Sequence, residues 1–183
     1  MPADPTLRVR KAKPADAAAI VEFVRGLARF EGEPVEHVRL TVRDVWRDGF
    51  GPRPAFEVLI AERLRDGEPR PVGFALFFPN YSTWEGRPGI YVEDLFVVEE
   101  ERAAGVGRAL MAAVARLARE RDAARVDLAV LDWNPARGFY EALGMSHQRT
   151  WRPYRMEREA IDRLAAEAAE AAGTGDAEGE VEG

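Results

Sequence analysis

Cysteine is absent from the 183-residue sequence, which excludes a disulfide framework, a thiolate metal site and a cysteine nucleophile. Histidine and serine are nearly absent as well. The two histidines, His37 and His147, lie far apart and lack the spacing of a metal-binding pair, so we expect no metal site. The two serines, Ser82 and Ser146, lie outside any Gly-x-Ser-x-Gly motif, so the sequence does not support a serine hydrolase.

Long apolar runs and basic stripes are also missing. No window approaches the roughly 18 uncharged apolar residues of a membrane-spanning helix, and the N-terminal segment lacks the apolar core of a secretion signal. The net charge is −6, and four of the acidic residues lie in residues 173–183, so the remaining chain is nearly neutral. Without a basic stripe, nucleic-acid binding has no electrostatic source. We therefore expect a cytoplasmic protein with neither a membrane nor a nucleic-acid partner.

The length and composition suit one soluble domain. Hydrophobic residues make up 46% of the chain and charged residues 32%. These values are typical of a globular protein of one domain. We assign that domain to residues 1–172. We expect residues 173–183 to form a disordered acidic tail, because they hold too little apolar surface to order themselves.

Hydrophobic periodicity predicts an α/β protein in which strands and helices alternate. Thr41 followed by Asp44 is typical of a helix-capping box, and Asn134, Pro135 and Gly144 suit the start and the end of a short helix. The predicted strands are residues 7–12, 56–63, 71–78, 90–98 and 124–131, with one more around Tyr154. The predicted helices are residues 15–30, a short helix from Thr41 through Trp46, one that follows residues 102–107, and residues 134–143 and 157–172.

The glycine-containing loop RAAGVG, residues 102–107, joins a predicted strand to a predicted helix. Such a loop presents unpaired backbone N–H groups to an anion, although a simple tight turn explains two glycines equally well. A Walker loop is disfavoured because Arg108 and Ala109 follow Gly107. A dinucleotide fingerprint is disfavoured because Leu110 takes the place of its third glycine and Asp127 lies inside a strand.

Motifs spread over nearly the whole chain resemble the GNAT superfamily of acyl-CoA N-acetyltransferases. Shorter segments, among them LARFEGEP, YVEDLFV and LDWN, are similar to its spermidine/spermine, or diamine, acetyltransferase branch. The superfamily resemblance rests on the loop, the strand that follows it and a short helix, through these residues: Arg102, Gly105, Gly107, Ala124, Asn134, Phe139, Tyr140 and Gly144.

The resemblance implies a mixed, mostly antiparallel sheet, flanked by helices, that splays open between two parallel strands. Acetyl-CoA would enter the split, and no metal is implied. Its pantetheine arm would pair with the backbone of Leu95, Phe96 and Val97, where an N–H near Phe96 or Val97 stabilises the oxyanion. Asn134 would flank the other side of the arm. The residues implied to hold the pyrophosphate are Arg102, Ala103, Ala104, Gly105, Val106, Gly107 and Arg108.

The same resemblance assigns roles in the transfer of an acetyl group to a primary amine. Tyr140 would protonate the departing thiolate, and Glu93 would accept the proton of the amine. Strand alternation directs the neighbouring Asp94 to the opposite face of the sheet. Glu31 would contact the cationic substrate, and Trp84 would line the same pocket through a cation–π contact.

Three departures from the family pattern leave the substrate open. Ser82 and Arg149 replace acidic residues of the polyamine enzymes, which weakens the expectation of a polyamine. The interval from Asn134 to Tyr140 is one residue shorter than usual. We expect a small diamine, polyamine or amino-acid-like amine as substrate. A catalytically silent acyl-CoA-binding or sensing module and a protein N-acetyltransferase are the alternatives, and family analogy suggests a homodimer.

Overall fold

The structure is a computed structural model that describes residues 4–173, and the predicted acidic tail beyond them lies outside the described residues. The chain divides into two compact units, one that ends at Phe139 and one that begins at Tyr140. The strands of the described residues are β1 Leu7–Lys11, β2 Glu57–Arg65, β3 Glu68–Ser82, β4 Arg87–Val97 and β5 Val126–Leu128. Their α-helices are α1 Ala17–Glu31, α2 Val42–Phe50, α3 Val106–Glu120, α4 Ala136–Ala142 and α5 Arg158–Gly173.

The first unit contains one sheet with the strand order β1-β2-β3-β4-β5. Neighbouring strands are antiparallel except β4 and β5, which are parallel. Among the described residues, β5 pairs with β4 only over Ile90–Val92, whereas β4 continues to Val97. The sheet is therefore open beside the last part of β4, which confirms the expected splay between two parallel strands.

Helices cover both faces of this sheet. The apolar side of α3, which includes Val106, Leu110 and Val114, packs on one face. On the other face, α1 and α2 bury Ile20 and Val45 against the sheet. Two separate apolar cores result, one on each side of the strands, and the amphipathic periodicity of α1 and α3 explains why each helix buries one side only.

A buried ion network joins β1, β2 and the turn before α1. The Arg10 guanidinium donates to both carboxylate oxygens of Asp16, at 2.7 and 2.8 Å, and to Oε1 of Glu62 at 2.6 and 2.8 Å. Asp16 also accepts the backbone N–H of Lys13 at 2.6 Å. The hydrogen bonds from Arg10 hold the pKa of Asp16 below its usual value. The side chains of Asp16 and Glu62 are only 11% and 10% exposed, so Arg10 compensates two carboxylates that have little access to water.

Local capping signals in the sequence are confirmed. The Asp44 N–H donates to Thr41 Oγ1 at 3.2 Å and the Thr41 N–H donates to the Asp44 carboxylate at 3.1 Å, which is the predicted capping box. Ala136 donates its N–H to Asn134 Oδ1 at 2.9 Å, so Asn134 caps α4 as predicted. Gly144, with a φ of +90°, follows the end of that helix.

The predicted strand around Tyr154 is wrong. Residues 151–157 form no regular element, and Trp151 and Tyr154 are exposed. A strand needs a partner that accepts its hydrogen bonds, and Pro153 has no N–H to offer. The structure also limits β5 to three residues of the predicted 124–131. In the part of the chain that the structure describes, no helix is long and apolar enough to cross a membrane.

Candidate active site

A β-bulge interrupts β4 at Glu93. Two consecutive residues of β3 pair with Asp94 and Val92, so Glu93 has no residue opposite it. One extra residue shifts the alternation of the strand by one position. Val92 therefore packs in the core beneath α3, whereas Phe96 packs in the core beneath α1. The bulge turns Asp94 to the α1 side as well, where it lines a cleft.

Beyond the bulge, the backbone groups of β4 divide between β3 and the open edge. Val98 donates its N–H to a β3 carbonyl at 3.0 Å. Since backbone direction alternates along a strand, Phe96 also faces β3, whereas Leu95 and Val97 present their groups to the open edge. If β4 had no bulge, alternation from Val92 would instead place the backbone groups of Phe96 at the open edge and those of Leu95 and Val97 towards β3.

The role expected for the Phe96 backbone needs correction on this account. Its backbone faces β3, and a Cβ on Gly73 of β3 would lie 2.7 Å from the Phe96 carbonyl oxygen. The Phe96 ring packs beneath α1 instead, where a Cβ on Gly26 would lie 2.7 Å from it. Phe96 therefore shapes the site with its ring, and the strand edge is left to Leu95 and Val97.

The loop between β4 and α3 has the backbone geometry of an anion-binding nest. Ala103 and Gly105 have φ values of +59° and +82°, which turns successive N–H groups towards one side. The first backbone bond of α3 runs from the Ala109 N–H to the Gly105 carbonyl at 3.0 Å. Within residues 4–173, none of the six N–H groups of residues 103–108 makes a well-formed hydrogen bond to a protein acceptor, although residues 102–105 form a turn. This geometry suits a negatively charged group, which would also meet the favourable field of the helix N-terminus.

The Arg102 side chain lies beside this loop, on the open edge of β4. Its Nε–H donates to the Val97 carbonyl at 3.1 Å. Its guanidinium carbon is 4.5 Å from the centre of the Phe30 ring and 5.6 Å from that of Phe96. The Phe30 ring in turn lies 6.3 Å from that of Trp133, in the loop after β5. Arg102 is thus held by one hydrogen bond and two cation–π contacts.

An acidic cleft of about 230 Å³ opens between α1, the turn after it and β4. Glu31, Glu33 and Asp94 line it, together with His37, whose Nδ1 lies 3.3 Å from the Glu33 carboxylate. Burial raises the pKa of Asp94 to about 6, and the charges of Glu93 and Glu31 add to this effect. Burial also raises the pKa of Glu31, with a further contribution from Glu33. A cationic group in this cleft would relieve the repulsion between the carboxylates.

The other residues expected in the site lie outside this cleft. Glu93 is exposed at the bulge, next to Asp94. Trp84 is 93% exposed in the turn between β3 and β4, at the opposite end of β4 from Asp94. Within this chain the structure therefore does not bring Trp84 together with Glu31. Tyr140 is half-buried on α4, in the second unit.

Ser82, which replaces an acidic residue of the polyamine enzymes, is buried and already engaged. Its hydroxyl accepts a hydrogen bond from Arg125 Nη1 at 3.0 Å and one from the Glu85 N–H at 3.3 Å. Arg125 also donates to Asp127 at 2.7 Å. A cation beside Ser82 would thus meet a guanidinium rather than a free carboxylate.

Sequence reasoning missed the position of Asp94 and the contact between Arg102 and Val97. Both depend on the bulge at Glu93, and the sequence has no glycine or proline there that would indicate a bulge. The one available signal was the adjacent pair of carboxylates in an apolar strand. Two charges there are costly unless one of them leaves the regular alternation.

Comparisons with known proteins agree with this geometry. A model of the Acetyltransferase (GNAT) family matches residues 23–145. Thialysine N-epsilon-acetyltransferase of Bos taurus is 38% identical over 165 residues, which cover 86% of this chain and 96% of that protein. L-ornithine N5-acetyltransferase NATA1 of Arabidopsis thaliana is 35% identical over 128 residues, which cover 69% of this chain and 51% of that protein.

A solved structure shows the same fold. An integron cassette protein from the mobile metagenome of V. cholerae superposes with a TM-score of 0.71 at 22% identity, covering 88% of this chain and 99% of that one. The open sheet, the nest-shaped loop and these relatives define an N-acetyltransferase. The chain belongs to the GNAT family of acetyltransferases, which confirms the resemblance stated from the sequence.

Proposed function

We propose that this enzyme transfers an acetyl group from acetyl-CoA to the primary amine of a small molecule with a short chain between its charged groups. One observation carries the proposal: the acidic cleft and the open edge of β4 meet at the bulge, where Asp94 and Leu95 are consecutive residues. A cationic amine in the cleft is thereby brought beside a ligand that lies along the strand edge.

The residues fit acetyl-CoA on two counts. Leu95 and Val97 offer backbone groups to the amides of the pantetheine arm. Among the described residues, the N–H groups of residues 103–108 make no well-formed hydrogen bond to the protein, and Arg102 and Arg108 add charge for the diphosphate. Asn134, which follows β5, would border the other side of the arm. When bound, acetyl-CoA supplies the thioester whose acetyl group is transferred.

The amine loses its proton to Asp94 at the bulge. The raised pKa of Asp94 lies close to neutral pH, where a general base works best, and its carboxylate lines the cleft. Glu93, the base expected from the resemblance, is the second candidate and can pass the proton on through water. An N–H of Leu95 or Val97 stabilises negative charge on the reacting carbonyl oxygen.

The charge pattern favours a short amine over a long polyamine. Glu31, Glu33 and Asp94 provide for one ammonium group in the cleft. Ser82 and Arg149 stand where the polyamine enzymes have acidic residues, and Ser82 is hydrogen-bonded to Arg125. Two relatives are named for thialysine and L-ornithine, which are amino acids with an amine at the end of the side chain. We therefore propose an amino-acid-like amine or a diamine as substrate.

A panel of amines tests this proposal. The protein is incubated with acetyl-CoA and, in separate reactions, with putrescine, L-ornithine, L-lysine, spermidine and a peptide, and released thiol is followed. Ornithine, lysine or putrescine should give the highest kcat/KM. Thiol release with the peptide alone would indicate a protein N-acetyltransferase. Binding of acetyl-CoA without release for every amine would indicate a silent acyl-CoA-binding module.

Tyr140→Phe should lower kcat at least about tenfold and leave the Kd of acetyl-CoA within twofold, because only the proton donor to the departing thiolate is removed. The role of Tyr140 rests on the family motif. Pre-steady-state and steady-state rates with acetyl-CoA measure both quantities. An unchanged kcat would assign the acid to another group.

Gly105→Ala should lower both stability and acetyl-CoA affinity. Its φ of +82° is strained for alanine by about 1–2 kcal/mol, although no atom lies within 4 Å of the added Cβ. Gly67→Ala is a matched control, because Gly67 has a φ of +79°, equal open space and a place in the β2–β3 turn. Calorimetry should show a similar loss of stability in both variants and weaker acetyl-CoA binding in Gly105→Ala alone. Equal acetyl-CoA affinity in the two variants would mean that the loop does not bind the ligand.

We propose a homodimer as the working form. Family analogy supports it, and the large exposed ring of Trp84 at the end of the β3–β4 hairpin is available to a second copy. Trp84 would then contribute to substrate binding across the interface. Sedimentation velocity decides the oligomeric state. The cytoplasmic location stays a prediction from the sequence.

A further inference from the structure

The Arg102 side chain covers part of the strand edge that acetyl-CoA is proposed to use. Its Nε–H is bound to the Val97 carbonyl, and Val97 is one of the residues whose backbone groups face the open edge of β4. The guanidinium rests on the Phe30 ring at 4.5 Å. A pantetheine arm that adds to this edge like a strand needs the same carbonyl as a hydrogen-bond acceptor. Since the guanidinium lies over this edge, the arm and Arg102 would compete for the Val97 carbonyl.

A diphosphate on the neighbouring loop would offer the Arg102 guanidinium a second position. Arg102 is the first residue of the 102–108 loop, and its backbone N–H is held by the Glu99 carbonyl at 3.1 Å. The side chain is exposed and can turn about its own torsion angles. Across residues 4–173, no carboxylate forms an ion pair with Arg102. Its side chain contacts the uncharged rings of Phe30 and Phe96 and the Val97 carbonyl. A diphosphate on the loop amides would offer this guanidinium a bidentate anion.

We propose, on the basis of the acetyl-CoA site above, that Arg102 has two positions and thereby selects donors that carry a diphosphate. In the first position it covers the Val97 carbonyl and rests on Phe30. In the second it binds the diphosphate and frees the strand edge. A ligand that has the pantetheine arm alone must break the first set of contacts and gains nothing in return. Coenzyme A recovers that cost through its phosphates.

The Arg102→Ala variant gives the proposal a signature of opposite signs. Free pantetheine should bind this variant about three- to tenfold more tightly than it binds the unmodified protein. The reason is that the hydrogen bond of Arg102 to Val97 and its cation–π contacts no longer have to be broken. Coenzyme A should bind about tenfold more weakly, because the variant lacks the charged partner of the diphosphate. Both dissociation constants are measured by NMR titration or calorimetry on the full chain.

Two substitutions of Phe30 test the first position separately. Phe30→Leu removes the ring, so pantetheine and coenzyme A should both bind about two- to fourfold more tightly, with the ratio between them unchanged. Phe30→Tyr keeps the ring face and should bind both ligands within twofold of the unmodified protein. If the ring only supported the fold, its loss would weaken both ligands.

The outcomes separate this proposal from the proposed function. Pantetheine affinity that is unchanged or weaker in Arg102→Ala overturns the covering role, even if coenzyme A binds the unmodified protein as expected. Coenzyme A affinity that rises in that variant overturns the diphosphate-binding role. Failure of coenzyme A to bind the unmodified protein overturns the acetyl-CoA site itself and this proposal with it.

Discussion

Asp94→Asn is expected to lower kcat/KM for the amine by roughly 10²–10⁴, the usual contribution of a positioned general base. Asparagine keeps the size and polarity of the side chain but cannot accept the proton of the ammonium. The pKa of Asp94 is raised to about 6, mainly by burial, so the base is ionised and active above that pH. In the unmodified enzyme kcat/KM should therefore rise as the pH increases through about 6, and this rise should disappear in Asp94→Asn.

Glu93→Gln is the matched control, because it removes the adjacent carboxylate at the exposed side of the bulge. It also removes a charge that raises the pKa of Asp94, so the rise in kcat/KM should move to lower pH while most of the activity stays. Stopped-flow thiol release between pH 5 and pH 9 records both profiles. A larger loss in Glu93→Gln than in Asp94→Asn would make Glu93 the base.

Arg10→Met is expected to lower the free energy of unfolding by roughly 3–5 kcal/mol, a large part of the total stability of a domain. The variant keeps an unbranched side chain but leaves Asp16 and Glu62 buried, close together and without their cation. Arg8→Met is the matched control on the same strand, since Arg8 is exposed. Urea unfolding should show a change in that control of less than about 0.5 kcal/mol.

The loss in Arg10→Met should depend on pH. Arg10 lowers the pKa of Asp16 in the folded protein, so this contribution is complete above the unfolded value of about 3.8 and is lost as the pH falls through the folded value. The stability difference between the two proteins should thus be constant near neutral pH and shrink below about pH 4. An equal difference at pH 3 and pH 7 would mean that Asp16 is not part of the effect.

Local sequence signals predicted those parts of the protein that depend on neighbouring residues. The capping box at Thr41, the cap at Asn134 and the stop at Gly144 each need only a few residues in sequence, and all three are confirmed. The split sheet was implied by the family resemblance, because a strand of buried residues, a glycine loop and a helix occur there in the family order.

Features that depend on strand register could not be predicted from the sequence. The bulge at Glu93 changes which backbone groups of β4 face the open edge and moves Asp94 into the cleft, yet it follows from pairing with β3 rather than from a local motif. The missing strand at Tyr154 has the same origin, because a pattern of apolar residues forms a strand only where a partner strand is present.

The measurement that tests the account most directly is a titration of the ¹⁵N-labelled protein with coenzyme A, followed amide by amide. The account predicts that the largest shifts, together with slowed exchange of the amide protons with water, occur at Ala103 to Arg108 and at Leu95 and Val97. Saturation of the protein with unchanged amides in this loop and along this edge, and with shifts elsewhere, would contradict it.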